Sequence, residues 1–379
     1  MAGILAWLLL ALLCHALWPG GTYHDEAYYW TWSRRPLAWG YFSKPPMIAW
    51  LGAISTTLFG PSVLGVRAWA FTLMAATALL GGKFAYETTR KPAAFAMTAG
   101  LLLLMVNPVA DTNKIQAFFW ILTLYAVWRA VENAPRFWIL AGAAIGLGIL
   151  GRHTHVFLLP VIAIFITWHA REHLRRPEFW GGLAVMVTIL MPHLVWLWKH
   201  DAATVRHTVG LGANDESAPT ATASAWDAAL QFMAGQMSIT GVVGVFALVA
   251  ALAWAILRTE RSRHRQLIHL LLIAWAIPFA FYASMLPFRE VLDHWFMPVY
   301  LPLTVVAGIW AGSADTRWRT SASAAFMVMG FLFASFMMLI NTGLSGPEGT
   351  PPNGPAFSKS LERALDETGA DFVFSYGNH

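Results

Sequence analysis

Two adjacent acids, Asp25 and Glu26, follow directly on an apolar run, and Lys44 lies farther along, beyond a stretch crowded with aromatic residues. The segment reads Tyr23-His24-Asp25-Glu26-Ala27-Tyr28-Tyr29-Trp30, and later Trp39-Gly40-Tyr41-Phe42-Ser43-Lys44-Pro45-Pro46-Met47. A carboxylate can take a proton from a hydroxyl, and an ammonium can hold an anion as a point charge. Trp and Tyr favour the bilayer interface, so a simple aromatic belt with a few solvated charges also fits this composition. Against that, carboxylates beside hydrocarbon are costly without a partner or a task. Asp111, Arg152, Arg289 and His294 are further ionisable residues at the ends of apolar runs. His169 and His173 have helical spacing, but they fall in a basic loop and read as solvated. The chain has no Walker loop, no dinucleotide glycine motif and no Gly-x-Ser-x-Gly nucleophile.

The elements that must position these residues are membrane helices. Of 379 residues, 57% are hydrophobic and 12% are charged, about half the charged share of a soluble globular protein. This composition excludes a disordered chain, a nucleic-acid module and an ordinary soluble enzyme. The single cysteine, Cys14, forms no internal disulfide. Crossing the hydrocarbon takes about 20 apolar residues. Eleven spans are expected, at 2–19, 62–82, 93–109, 112–130, 137–151, 154–169, 179–198, 228–257, 266–285, 295–312 and 320–342. The first lacks a basic leader and a good cleavage site, so it reads as a retained helix. The eighth is long for one straight span, and Gly235, Gly241 and Gly244 predict a short surface segment leading into it.

Charge sets the orientation. With the N-terminus in the cytoplasm, the inner loops hold fourteen of the 25 Lys and Arg residues but only six of the 20 acids. A basic excess marks the cytoplasmic side. The outer side then carries a first loop at 19–61, a mobile loop at 199–227 and the tail after Asn341. The chain divides into a transmembrane domain over 1–342 and a segment over 343–379. The latter reads as a Pro/Gly-rich linker, a helix and a strand, the start of a small α/β periplasmic unit and the mark of a truncated chain.

The pattern Asp25-Glu26-Ala27-Tyr28-Tyr29-Trp30 with Lys44-Pro45-Pro46-Met47-Ile48-Ala49-Trp50 resembles the first periplasmic loop of bacterial C-type glycosyltransferases. It is most similar to the dolichyl-phosphate-mannose protein mannosyltransferase-like family, which includes the aminoarabinose transferases of lipid A. Asp111-Thr112, Gly148-Ile149-Leu150-Gly151-Arg152, Pro192-His193-Leu194-Val195-Trp196, Gly235-Gln236 and His294-Trp295-Phe296-Met297-Pro298 resemble later family segments. The resemblance covers residues 1 to about 310. Three departures stand out. Ser43 replaces an acid before the lysine, which puts any metal site built on that acid in doubt. Asn113-Lys114 follows Asp-Thr where the family has proline, and Arg152 replaces a lysine.

The resemblance implies an all-α polytopic membrane protein with two periplasmic surface helices in the first outer loop. It implies a sugar donor carried on polyprenyl phosphate and used on the outer face of the inner membrane, with inversion. The acceptor is a lipid, a glycan or a protein. The leaving phosphate needs compensating positive charge, and the acceptor hydroxyl needs a base. Asp25 is the candidate base, a helix N-cap being the bland alternative. Glu26 orients a partner or pairs with Arg34 or Arg35. Asp111 positions the acceptor or caps the fourth span. Lys44, Arg152 and Arg289 are expected at the phosphate, with His294 as a further phosphate or sugar contact. Tyr28, Trp39 and Tyr41 stack on the sugar, line the acyl groove or belong to the interfacial belt. No cofactor is assigned, a divalent metal stays open, and no metal ligands are assigned. The competing reading is a transporter or flippase for a lipid-linked sugar, and a noncatalytic scaffold is a third. Transporters place ionisable groups near the bilayer midplane, whereas these sit at span ends.

Overall fold

The computed structural model describes residues 1–17, 21–105, 107, 109–210, 225–285, 293–313, 316–340 and 363. Among these, every regular element is helical. They are α1 (Ala2–Leu17), α2 (His24–Ser33), α3 (Met47–Phe59), α4 (Val63–Thr89), α5 (Pro92–Leu104), α6 (Thr112–Glu132) and α7 (Phe137–Gly151). There follow α8 (Leu158–His169), α9 (Pro177–Lys199), α10 (Ala203–Gly210), α11 (Ala225–Arg258), α12 (Arg265–Met285), α13 (Met297–Gly312) and α14 (Arg317–Ile340). Each expected span coincides with a helix, the largest shift being at α4, which runs on to Thr89. α2 and α3 are the two helices expected between residues 19 and 61. α11 breaks at Gly241, whose φ of 69° leaves the helical region; it is one of the three glycines from which a separate segment before this span is expected. The helix and strand expected in the tail, and most of the loop after α10, lie outside the described residues.

Helix ends follow local chemistry. Ser62 caps α4, its Oγ accepting from the Gly65 amide at 3.1 Å. Arg90 closes the same helix in the left-handed region, with φ 60°. Pro92 and Pro177 sit in the first turns of α5 and α9, where a missing N–H costs nothing. α4, α9, α12 and α14 are long and apolar enough to cross a membrane, and shorter apolar helices of 10–17 residues accompany them.

α5 packs against α4, α13 and α14, while α7 lies between α6 and α9. Between apolar helices in lipid, close packing has to supply what the hydrophobic effect supplies in water. The α7–α9 crossing shows how close: a Cβ on Gly142 would lie 1.9 Å from the Gly182 carbonyl oxygen. The outward faces stay apolar. Trp168 on α8, Trp198 on α9 and Leu257 on α11 are 72%, 80% and 76% exposed, suited to lipid contact. The site is built where α2, α3 and the N-terminal ends of α4 and α6 meet the α7–α8 turn.

Candidate active site

α2 begins after Tyr23, whose backbone is extended, and Glu26 reaches back to the Tyr23 amide at 2.9 Å. This is half of a capping box and holds the helix start. The other demands on Glu26 come from elsewhere in the fold. Arg67 donates to both its oxygens, from Nε and Nη2, at 2.8 Å each. The Ala110 amide adds a third contact, at 2.7 Å. Arg67 also donates to the Gly21 carbonyl at 2.9 Å. The expected partners Arg34 and Arg35 are therefore replaced by Arg67. Both lie at or past the C-terminal end of α2, roughly 12 Å along the axis from Glu26. Arg67 is buried in the second turn of α4 and needs a counter-charge there.

Asp25 has the opposite environment. It is exposed, on the outward side of the first turn, and accepts a long 3.3 Å hydrogen bond from the Tyr29 hydroxyl. It does not cap α2, because Tyr23 holds that position. A carboxylate in a first helical turn is favoured by the helix dipole. Burial, then Asp25 and Asp111, hold the Tyr29 phenol well above its ordinary range, so Tyr29 remains a donor.

Lys44 and Arg152 come together near these acids. Burial and then the Arg152 charge lower Lys44 to about 8, while Asp25 and Asp111 act in the opposite sense. Arg152 ends α7 and donates to Asn113 Oδ1. Asp111 caps α6: its Oδ1 accepts from the Asn113 amide at 2.8 Å, and its Oδ2 lies 3.1 Å from Lys114 Nζ. The capping role anticipated for Asp111 is thus present, together with an ion pair. Lys114 is buried and also donates to Asn107 Oδ1.

Aromatic residues frame this cluster. Tyr41 is buried and stacks on Trp32 at 4.6 Å, and its hydroxyl accepts from the Ala38 amide at 3.2 Å. Tyr28 is half-buried, edge-on to Trp32. Trp39 is 45% exposed and lies edge-on to Trp50. The loop backbone at Gly40 runs against the Trp196 ring, so a Cβ there would lie 2.3 Å from it. His153 and His193 meet Nε2 to Nε2 at 3.0 Å. Arg289 and the His294 side chain lie outside the described residues. Among the described residues, no three His, Cys, Asp or Glu side chains are placed to hold a metal ion.

The structure thus brings Asp25, Asp111, Lys44 and Arg152 into one electrostatic neighbourhood. Sequence reasoning missed Arg67, Lys114 and the His153–His193 pair. Arg67 carries a signal of its own, since an arginine inside the apolar run Val63–Ala70 must find a buried partner. The histidine pair carries none, because its members are brought together only by the packing of α9 beside the α7–α8 turn.

Residues 43–196 match the profile of the dolichyl-phosphate-mannose-protein mannosyltransferase family. The chain is 27% identical over 316 residues to the lipid A galacturonosyltransferase RgtD of Rhizobium johnstonii, covering 80% of this chain and 59% of that protein. It is 26% identical over 291 residues to the undecaprenyl phosphate-alpha-4-amino-4-deoxy-L-arabinose arabinosyl transferase of Pseudomonas paraeruginosa, covering 71% of this chain and 49% of that one. The chain therefore spans between half and three fifths of the length of these two curated relatives. Its fold is similar to that of ArnT from Cupriavidus metallidurans bound to undecaprenyl phosphate, with TM-score 0.61, 16% identity and coverage of 95% of this chain and 68% of that one. It is also similar to the Archaeoglobus fulgidus oligosaccharyltransferase in complex with Zn and sulfate, with TM-score 0.60, 18% identity and coverage of 98% and 59%. Residues 43–196 are thus similar to the dolichyl-phosphate-mannose-protein mannosyltransferase family, and the fold of the chain is similar to that of ArnT.

Proposed function

We propose that this protein is an integral inner-membrane glycosyltransferase. It moves a sugar from polyprenyl phosphate to a lipid, glycan or protein acceptor at the periplasmic face, and residues 1–342 form its membrane domain. The observation that supports the reading is an exposed carboxylate, Asp25, within electrostatic reach of Lys44, which Arg152 also neighbours. The relatives named for transfer from undecaprenyl phosphate supply the donor class.

In this mechanism the acceptor oxygen attacks the anomeric carbon. The bond from that carbon to the phosphate oxygen breaks, and its electron pair leaves with the phosphate. The acceptor proton passes to the Asp25 carboxylate. Lys44 and Arg152 stabilise the charge that grows on the leaving phosphate. Displacement in a single step inverts the anomeric centre. Glu26 holds α2 through Arg67 and so fixes the direction of Asp25.

The test is a transfer assay with the purified protein, undecaprenyl-phosphate-linked sugars and a membrane-lipid extract. Wild type is expected to move sugar, and Asp25→Asn to bind donor without transferring it. Donor bound but never transferred, with wild type and Asp25→Asn alike, would replace this reading by the flippase.

A further inference from the structure

A directed chain of hydrogen bonds links His153, the residue after Arg152, through His193 to the backbone of Trp39. His193 Nδ1 lies 2.6 Å from the Trp39 carbonyl oxygen, and His193 Nε2 lies 3.0 Å from His153 Nε2. A carbonyl only accepts, so His193 carries its proton on Nδ1. Neutral His193 then offers a lone pair at Nε2, and the proton between the rings belongs to His153 Nε2. The remaining nitrogen, His153 Nδ1, is a lone pair to which no described residue donates. The Trp39 carbonyl thereby sets a tautomer two rings away.

His153 follows Arg152 directly and lies within electrostatic reach of Lys44. Burial first, then His193 and Lys44, lower its proton affinity to about 3, so the ring stays neutral. A neutral acceptor beside two cations is a poor ligand for an ammonium and a poor ligand for a phosphate. It is a good one for a neutral hydroxyl.

We propose that His153 Nδ1 contacts the substrate, accepting a hydrogen bond from a hydroxyl of the donor sugar beside the Lys44–Arg152 phosphate site. The inference rests on the donor reading given above. His193 and Trp39 act through His153 as positioning residues. An acceptor-only nitrogen held in place rejects groups that have no proton to give, so His153 is a specificity determinant for the sugar.

The experiment measures binding of two probes to the full chain in nanodiscs. One is undecaprenyl phosphate, and the other is a panel of undecaprenyl-phosphate-linked hexoses and pentoses. His153→Phe is expected to keep undecaprenyl phosphate affinity within about two-fold and to weaken the best-bound sugar-linked lipid about ten-fold, the worth of one hydrogen bond. His153→Asn, which restores a side-chain acceptor, is expected to recover much of that loss. Equal weakening of both probes would overturn the proposal in favour of a phosphate or purely structural role, and so would no change in either. Failure of wild type to bind any probe would instead sink the donor reading itself. Melting temperature and monodispersity of each variant separate these outcomes from misfolding.

Discussion

Glu26 and Arg67 meet through two hydrogen bonds of 2.8 Å each, with both side chains sealed from solvent. The neighbouring residue, Asp25, faces outward. Two acids adjacent in sequence therefore have opposite duties. One fastens α2 to α4 and to the segment before α6, and the other is exposed, where the proposed function has it meet the acceptor.

This division gives a first expectation. Glu26→Gln or Arg67→Met leaves an uncompensated charge or donor in the interior, a loss of about 3–5 kcal/mol when half of a buried pair is removed. Both variants should melt well below wild type in detergent, and the double variant should recover part of the loss. Asp25→Asn should melt as wild type does while losing transfer by about 10²–10⁴-fold, the usual worth of a general base. A drop in melting temperature for Asp25→Asn as large as that for Glu26→Gln would contradict the division.

Asp111 combines a cap with an ion pair, and the two can be separated. Asp111→Asn keeps an N-cap oxygen but removes the counter-charge of Lys114, whereas Asp111→Ala removes both. The expected stability order is wild type, Asn, Ala, with the last step worth about 1 kcal/mol of capping. Thermal unfolding of the three proteins reads it directly. An Asn variant no more stable than the Ala variant would deny the cap.

With Lys44 at the donor phosphate, as proposed, binding of that phosphate should depend on pH. Burial, followed by Arg152, lowers it from the ordinary 10.5 to about 8. Below that pH the free protein carries the charge, and above it the charge is lost. A bound phosphate favours the charged form, so affinity for undecaprenyl phosphate should fall as pH rises through about 8. Lys44→Arg, always charged, should flatten that step. The stability linkage has the opposite sign. Between about 8 and 10.5 the unfolded chain holds a proton that the folded chain has shed, so the Lys44 contribution to stability rises with pH. Below about 8 its burial is a standing cost, and Lys44→Met should raise the neutral-pH melting temperature.

The α7–α9 crossing tolerates no added atom at Gly142. Gly142→Val would force the Val side chain onto the Gly182 backbone, and overpacking of this kind costs about 1–3 kcal/mol where helices can shift. The expected result is a lower yield of monodisperse protein, with unfolding at lower temperature. Because α9 carries His193 and Trp196, donor binding should weaken as well.

Much of this molecule is legible in one dimension. Apolar runs such as 137–151 and 179–198 announce α7 and α9 because a membrane helix must be apolar along its whole lipid-facing length. Asp25 and Lys44 stand out for the reverse reason, since charge beside hydrocarbon is conspicuous. The bend in α11 is visible as a glycine, Gly241, and the cap of α6 as an aspartate before an apolar stretch.

What the sequence determined by itself was therefore local: helix positions, their caps, and which residues carry charge at their ends. Tertiary structure decided who pairs with whom. Glu26 chose Arg67, 41 positions away, over the nearer Arg34 and Arg35, because α3 packs against both α2 and α4 and the fold buries a guanidinium beside Glu26 that needs a counter-charge. His153 found His193, 40 positions on, because α9 lies beside the α7–α8 turn. Hydrogen bonds and ion pairs act over a few ångströms of space, and distance along the chain does not encode which helix faces will come that close.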